Sequence, residues 1–294
     1  MSPQRFLHRL SDAGVLVADG ATGTMLQAAG LPAGEAPEHW NLENPEVIKA
    51  LHRRYVDAGA DLILTNTFGG SCIRLRRAEL AGQVTEINRA AARLAREVAG
   101  DRVFVLGDLG PTGELLAPLG ALTYDDAVAA FAEQAAALAA GGADAILIET
   151  MSDVNEAKAA VTGAKQATDL PVLATMSFDT RGRTMMGVKP EEAAETLWSL
   201  DVAVIGANCG RTLSETLAAV RAMRRAVPNA TLMAKPNAGL PHTEDGALVY
   251  DVTPDVMANY ALKFAALDVK IFGGCCGSTP AHIRAVAKAL RAPA

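Results

Sequence analysis

Cys275 and Cys276 stand side by side in the run Ile271-Phe272-Gly273-Gly274-Cys275-Cys276-Gly277-Ser278-Thr279-Pro280, and Cys209 stands in Val204-Ile205-Gly206-Ala207-Asn208-Cys209-Gly210. Each run reads as an apolar strand that stops at a glycine turn and delivers sulfur there. Three thiolates are a ligand set that leaves a tetrahedral zinc ion one open position, as zinc requires for chemistry; structural zinc sites close all four. A thiol substrate in that position loses its proton. It is then a sulfur nucleophile at neutral pH, where a free thiol of pKa about 8.5 is mostly protonated. Three negative sulfurs also temper the ion's Lewis acidity, which favours attack by an electron-rich sulfur on an alkyl carbon. The alternative is three small buried residues with no joint role. Cys72, in Gly69-Gly70-Ser71-Cys72-Ile73-Arg74, falls past the end of a strand and is expected to pack or face solvent. A fourth thiolate from it would close the site.

Polar residues at other strand ends suit the rest of such a substrate. Glu149 ends the run Ala145-Ile146-Leu147-Ile148, so its carboxylate is expected to be partly buried and to seek an amino group. An ion pair with a neighbouring Arg or Lys is the alternative. Asp19 with Gly20 offers a second carboxylate and a backbone N–H, and Thr65 offers a hydroxyl. Together these could hold an α-amino acid head group. His39 and His242 lie in Pro-containing loops and are expected to be solvated.

These residues must be gathered from distant parts of the chain. Apolar runs are expected as strands at 15–18, 61–65, 103–107, 145–149, 171–177, 202–207, 231–235 and 269–273. Helical stretches are expected at 46–58, 85–99, 124–140, 154–167, 190–200, 214–227, 254–267 and 280–290. Continuous apolar strands imply coverage of both sheet faces. About eight strand–helix alternations predict an α/β fold of one domain, a (β/α)8 TIM barrel over residues 1–294, with the site at the C-terminal ends of the strands. Pro190, Pro254 and Pro280 mark first helical turns, and Thr253 and Thr279 are expected N-caps.

Composition narrows the class further. Half of the 294 residues are hydrophobic and the formal net charge is -6, without a basic, aromatic-interleaved cluster, so nucleic acid is not an expected partner. No apolar run approaches the roughly 20 residues of a membrane span, and the polar start does not read as a signal peptide. Four cysteines are too few for a disulfide scaffold, so a reduced, cytoplasmic setting is expected.

Taken together, the motifs resemble the homocysteine S-methyltransferase family over nearly the whole chain. The resemblance runs through Asp19-Gly20-Ala21-Thr22-Gly23-Thr24, Leu64-Thr65-Asn66-Thr67-Phe68-Gly69, Gly107-Asp108-Leu109-Gly110-Pro111-Thr112-Gly113 and Glu149-Thr150. It continues through Ser177-Phe178-Asp179, Asn208-Cys209, Pro236-Asn237-Ala238-Gly239 and Gly273-Gly274-Cys275-Cys276-Gly277. It implies zinc on Cys209, Cys275 and Cys276, and methyl transfer to homocysteine sulfur to give methionine. Glu149 and Asp19 would hold the amino group, with Gly20 and Thr65 near the carboxylate. Trp40 and Asn237 are the expected donor-side residues. The implied donor is a methylated corrinoid on a separate protein, or betaine or another onium compound. Gly69 and Thr150 stand where the animal betaine enzyme has cage tyrosines, which favours the corrinoid. The rival readings are a thiol oxidoreductase using Cys275 and Cys276, a non-catalytic zinc-binding partner of a corrinoid protein, and a phosphate-handling barrel.

Overall fold

The computed structural model describes residues 3–12, 14–244 and 247–292. Its strands are β1 (Leu16–Val17), β2 (Leu62–Leu64), β3 (Phe104–Leu109), β4 (Ala145–Met151), β5 (Val172–Met176), β6 (Val204–Cys209), β7 (Leu232–Pro236), β8 (Pro241–Glu244), β9 (Ala247–Tyr250) and β10 (Val269–Phe272). Its α-helices are α1 (Pro3–Ser11), α2 (Gly23–Ala28), α3 (Trp40–Glu43), α4 (Pro45–Asp57), α5 (Cys72–Leu75), α6 (Val84–Ala99), α7 (Tyr124–Gly141), α8 (Val154–Ala167), α9 (Pro190–Ser199), α10 (Leu213–Ala226), α11 (Pro254–Ala265) and α12 (Pro280–Arg291). Eight strands form one parallel sheet in the order β1-β10-β7-β6-β5-β4-β3-β2. A parallel bridge between Ala18 and Leu62 brings the first strand to the second, so the sheet curls into the expected (β/α)8 barrel.

Alternation along each strand decides what fills the barrel. Leu16, Leu62, Leu64, Phe104, Leu106, Ala145, Leu147, Leu173, Val204, Met233 and Ile271 form the inner cluster, while Val17, Ile63, Val105, Ile146, Ile148 and Ile205 pack outward under the helices. The helix α1, outside the expected set, plugs the N-terminal end. Its Phe6 is fully buried and meets Phe104 edge-on, ring centroids 5.4 Å apart.

The same inward parity continues past the apolar layers. Asp108 follows Leu106 on β3, Glu149 follows Leu147 on β4, and Lys235 follows Met233 on β7, all three buried. The top layer of the lumen is therefore charged. Of the three, Asp108 alone lies beyond its strand's expected end; β3, β4 and β6 each run two residues further than expected, to Leu109, Met151 and Cys209. The helix starts hold as expected. Thr253 Oγ1 accepts the Val256 N–H, and Thr279 forms a capping box with His282. The antiparallel β8–β9 pair is an insertion between β7 and α11 absent from the expected alternation.

Candidate metal centre and active-site cleft

Cys209 is the last residue of β6, and Cys275 and Cys276 lie in the turn after β10, on opposite sides of β7. Their sulfurs lie within 4.8 Å of one another, and Cys209 Sγ is 2.9 Å from Cys275 Sγ. All are free thiols. Among the described residues this is the one group of His, Cys, Asp or Glu side chains gathered closely enough to hold a metal ion. Cys72 stands apart on α5, as expected, and lines a separate surface groove.

The thiols titrate as a set. Hydrogen bonds from Cys209 and Cys275 hold Cys276 down at about 3, while the hydrogen bonds of Cys209 with Cys275 and Cys276, and then burial, push Cys209 well above the usual thiol range. Gathering three thiolates requires a cation among them, and the sulfur-rich donor set suits a soft or borderline metal ion.

Backbone strain places these sulfurs. Cys209 has φ 55° and Thr150, its neighbour from β4, has φ 62°, both in the left-handed region that residues other than glycine rarely enter, the β-branched Thr150 least of all. Asn208 holds them. Its Oδ1 accepts the Thr150 N–H and the Thr175 hydroxyl, each at 2.7 Å, and its Nδ2 donates to Thr150 Oγ1 at 2.6 Å. On the other side, Gly277 turns with φ +76°, and a Cβ there would lie 2.1 Å from the Tyr250 ring. The inserted hairpin therefore seats Tyr250 directly on the cysteine turn. Ala238 N–H also donates to Cys276 O at 2.9 Å.

A cleft of ≈ 390 Å³ opens above the cysteines, lined among others by Gly20, Thr65, Asp108, Glu149 and Lys235. Asp19 lies beneath it. Its Oδ2 accepts the Leu64 N–H at 2.8 Å, and burial pushes its carboxyl up to about 7, against the pull of Lys235. Gly20 leaves room here, because a Cβ would meet Ser278 Oγ at 2.8 Å and Tyr55 Oη at 2.9 Å and one or both side chains would have to shift.

Lys235 is the residue that the strand-end reading passed over. Its Nζ lies 3.2 Å from Glu149 Oε2 and 3.9 Å from Asp19 Oδ1, with 2% of the residue exposed. Burial pulls its pKa down, but Glu149 and Asp19 outweigh this and hold it above the usual lysine range. The alternative reading of Glu149 as an ion-pair partner is thus realised within the cleft itself. Asp108, which stands in the Gly107–Gly113 motif but was given no role from the sequence, has its carboxyl raised well above the usual range by burial and then by the charge of Glu149. Extending strand parity beyond the apolar residues would have found Lys235 and turned Asp108 toward the same lumen.

Three expected residues have other surroundings. The Thr65 hydroxyl accepts the Asp108 N–H at 2.9 Å and shares a 2.6 Å hydrogen bond with Thr67 Oγ1, which in turn donates to Asp108 O. With the Thr67 hydrogen used there, Thr65 must donate to Thr67 and has no hydrogen left for a substrate carboxylate. Trp40 is buried in the core at the start of α3 and does not line the cleft. Asn237 Nδ2 donates to Gly210 O at 2.7 Å, which makes it a brace between β6 and β7.

Residues 16–290 match the homocysteine S-methyltransferase family. The chain belongs to that family. It is 36% identical over 296 residues to the methionine synthase of Mycobacterium tuberculosis and 35% identical to that of Mycobacterium leprae. Each alignment covers 94% of this chain, and the chain spans 24% of the length of either relative. Among solved structures it is similar to the homocysteine methyltransferase MmuM of Escherichia coli in its metallated form, with a TM-score of 0.80 at 23% identity, covering 97% of this chain and 99% of that one. A methyltransferase from Methanosarcina mazei gives a TM-score of 0.62 at 13% identity over 98% of this chain and 97% of that one. These structural likenesses show the barrel. Within the homocysteine S-methyltransferase fold, three thiols that could hold a metal ion lie at the floor of a charged cleft. No helix among the described residues is long and apolar enough to cross a membrane.

Proposed function

We propose that this chain, as one homocysteine-binding barrel over residues 1–294, is a zinc-dependent methyltransferase that converts L-homocysteine to methionine. The carrying observation is the convergence of Cys209, Cys275 and Cys276 beside a cleft that also holds buried carboxylates. Zinc fits the donor set. Bonds of about 2.3 Å place the ligand sulfurs of a tetrahedron about 3.8 Å apart; these sulfurs all lie within 4.8 Å, and the Cys209–Cys275 pair, at 2.9 Å, would open by about 0.9 Å to admit the ion. When bound, the ion would supply the fourth position at which a thiol gives up its proton near neutral pH.

The chain's own groups do the rest by alignment. Glu149 and Asp19 receive the substrate's ammonium, and Gly20 lets the backbone approach its carboxylate. Asn208 fixes the strained pair that aims Cys209. The homocysteine sulfur attacks the methyl carbon. A sulfur–carbon bond forms, the carbon–donor bond breaks, and its electron pair leaves with the donor. No protein base acts in that step, because the thiol proton has already gone to solvent.

We assign the donor as a methylated corrinoid on a separate domain or protein. A small onium donor would need an aromatic cage. The aromatic residue among those lining the cleft is Phe68, and Arg74 already stands over its ring at 5.5 Å. The oxidoreductase reading leaves Cys209 without a role, although its sulfur is 2.9 Å from that of Cys275. The test is a donor panel on zinc-loaded protein with homocysteine: methylcobalamin, methylated corrinoid protein, betaine, S-methylmethionine and a dimethylsulfonio compound. Methionine from the corrinoid donors is expected. Turnover with betaine alone would overturn the donor assignment, and turnover with none would overturn the enzymatic reading.

A further inference from the structure

The carboxylates that the family resemblance assigns to the substrate's ammonium are already in use. Lys235 takes Glu149 Oε2 at 3.2 Å and stands 3.9 Å from Asp19 Oδ1. Asp19 Oδ2 is bound to the Leu64 N–H. A second ammonium entering here would compete with a buried lysine for two carboxylates. The third carboxylate is Asp108, which lines the same cleft, is 4% exposed, and has an Oδ1 without a hydrogen-bond partner. Asp19 Oδ1 likewise lacks a hydrogen-bond donor. Buried carboxylate oxygens are rarely left so, since an unsatisfied buried acceptor is costly.

We propose that Asp108 is a direct ligand of the substrate's ammonium group, supplying the acceptor that Lys235 withdraws from Glu149 and Asp19. This rests on the homocysteine reading given above. The three carboxylates and Lys235 carry two net negative charges when ionised, and a substrate ammonium reduces that to one. An ammonium also brings three N–H donors, enough for Asp108 Oδ1, Asp19 Oδ1 and Glu149. Asp108 is placed for this by strand geometry alone, at the inward position above Leu106 on β3. Lys235 and Asp108 thus act as a compensating pair. The added cation would spoil an ammonium subsite, and the added carboxylate restores it. The result is a site that selects for an amino group on the thiol, because thiols without one leave the unpartnered oxygens unsatisfied.

The experiment compares L-homocysteine with 4-mercaptobutanoate, the same thiol acid without the amine, by calorimetric titration of the zinc-loaded full chain. Asp108→Asn is expected to raise the Kd of homocysteine about tenfold or more, the ordinary cost of a lost charge-assisted hydrogen bond. The Kd of 4-mercaptobutanoate should stay within about twofold, since it lacks the group that Asp108 binds. Asp108→Ser, a second variant, should show the same split, and the two-ligand ratio on one preparation is independent of the folded fraction. Adding Lys235→Met to Asp108→Asn should recover part of the homocysteine affinity by releasing Glu149 and Asp19. Equal effects on both ligands, no effect on either, or no recovery in the double variant would overturn the assignment. A wild-type chain that binds neither thiol would overturn the homocysteine reading beneath it.

Discussion

At the scale of single residues, the cysteines carry the argument. Replacing Cys209, Cys275 or Cys276 by Ala removes one of three gathered sulfurs. Each variant is expected to retain far less zinc after gel filtration, read as metal per chain by atomic absorption. Cys72→Ser should retain wild-type zinc, because Cys72 lies outside the group. A full zinc content in any of the three Ala variants would sink the site. The sulfurs were legible in the sequence because glycine-flanked cysteines after apolar runs have few other uses. Lys235 was not, because a lysine at a strand end ordinarily reads as a solvated charge. What buries it is the parity of β7, which points Met233 and Lys235 the same way.

His52 gives a residue-scale consequence of burial on pH. It is buried on α4, its Nε2 has no hydrogen-bond partner, and burial lowers its pKa to about 4. The folded state therefore keeps it neutral while the unfolded chain takes up a proton below about 6.5. Stability should fall as pH drops from about 6.5 to 4, by up to about 1.4 kcal/mol per pH unit from this group. Urea melts of wild type and His52→Phe across that range check it. The variant should lose less stability on acidification, and an identical slope in both would refute it.

Among elements, the inserted β8–β9 pair shows where alternation stops being informative. The periodic pattern finds strands covered on both faces, and the exposed Pro241–Glu244 strand has no such pattern. An Asp-Gly dipeptide at 245 and 246 was the local sequence signal for a hairpin. Those two positions lie outside the described residues. The insertion matters because Tyr250 packs on the Gly277 turn between the last cysteine and α12. Gly277→Ala adds a Cβ at φ +76° and 2.1 Å from that ring, so the turn or the hairpin must move. Loss of zinc retention at little cost to global stability is expected, and a crystal structure with Tyr250 unmoved and zinc bound would contradict it.

For the whole molecule, the eight-fold alternation was readable because parallel strands buried on both faces are continuous apolar runs. The plug was not readable, because the polar sequence around α1 hides two inward residues, Phe6 and Leu10. Phe6 fills the barrel's closed end against Phe104. Phe6→Ala should destabilise the fold by about 3–5 kcal/mol, the usual range for a fully buried phenylalanine, with the metal retained per folded chain unchanged. Denaturant midpoints and metal content read on the same preparation separate the two effects.

Asp19 belongs to the join of the cylinder as well as to its mouth. One oxygen fastens to the Leu64 amide, its own amide fastens to Leu62, and its carbonyl receives Gly274. Three staves, the first, second and last, are thus pinned by one side chain and its backbone, while the remaining oxygen, buried beside Lys235, lacks a hydrogen-bond donor. An amino acid that grips that oxygen cinches the hoop. Loaded protein should melt later than empty protein, and the Leu64 amide should exchange its hydrogen more slowly.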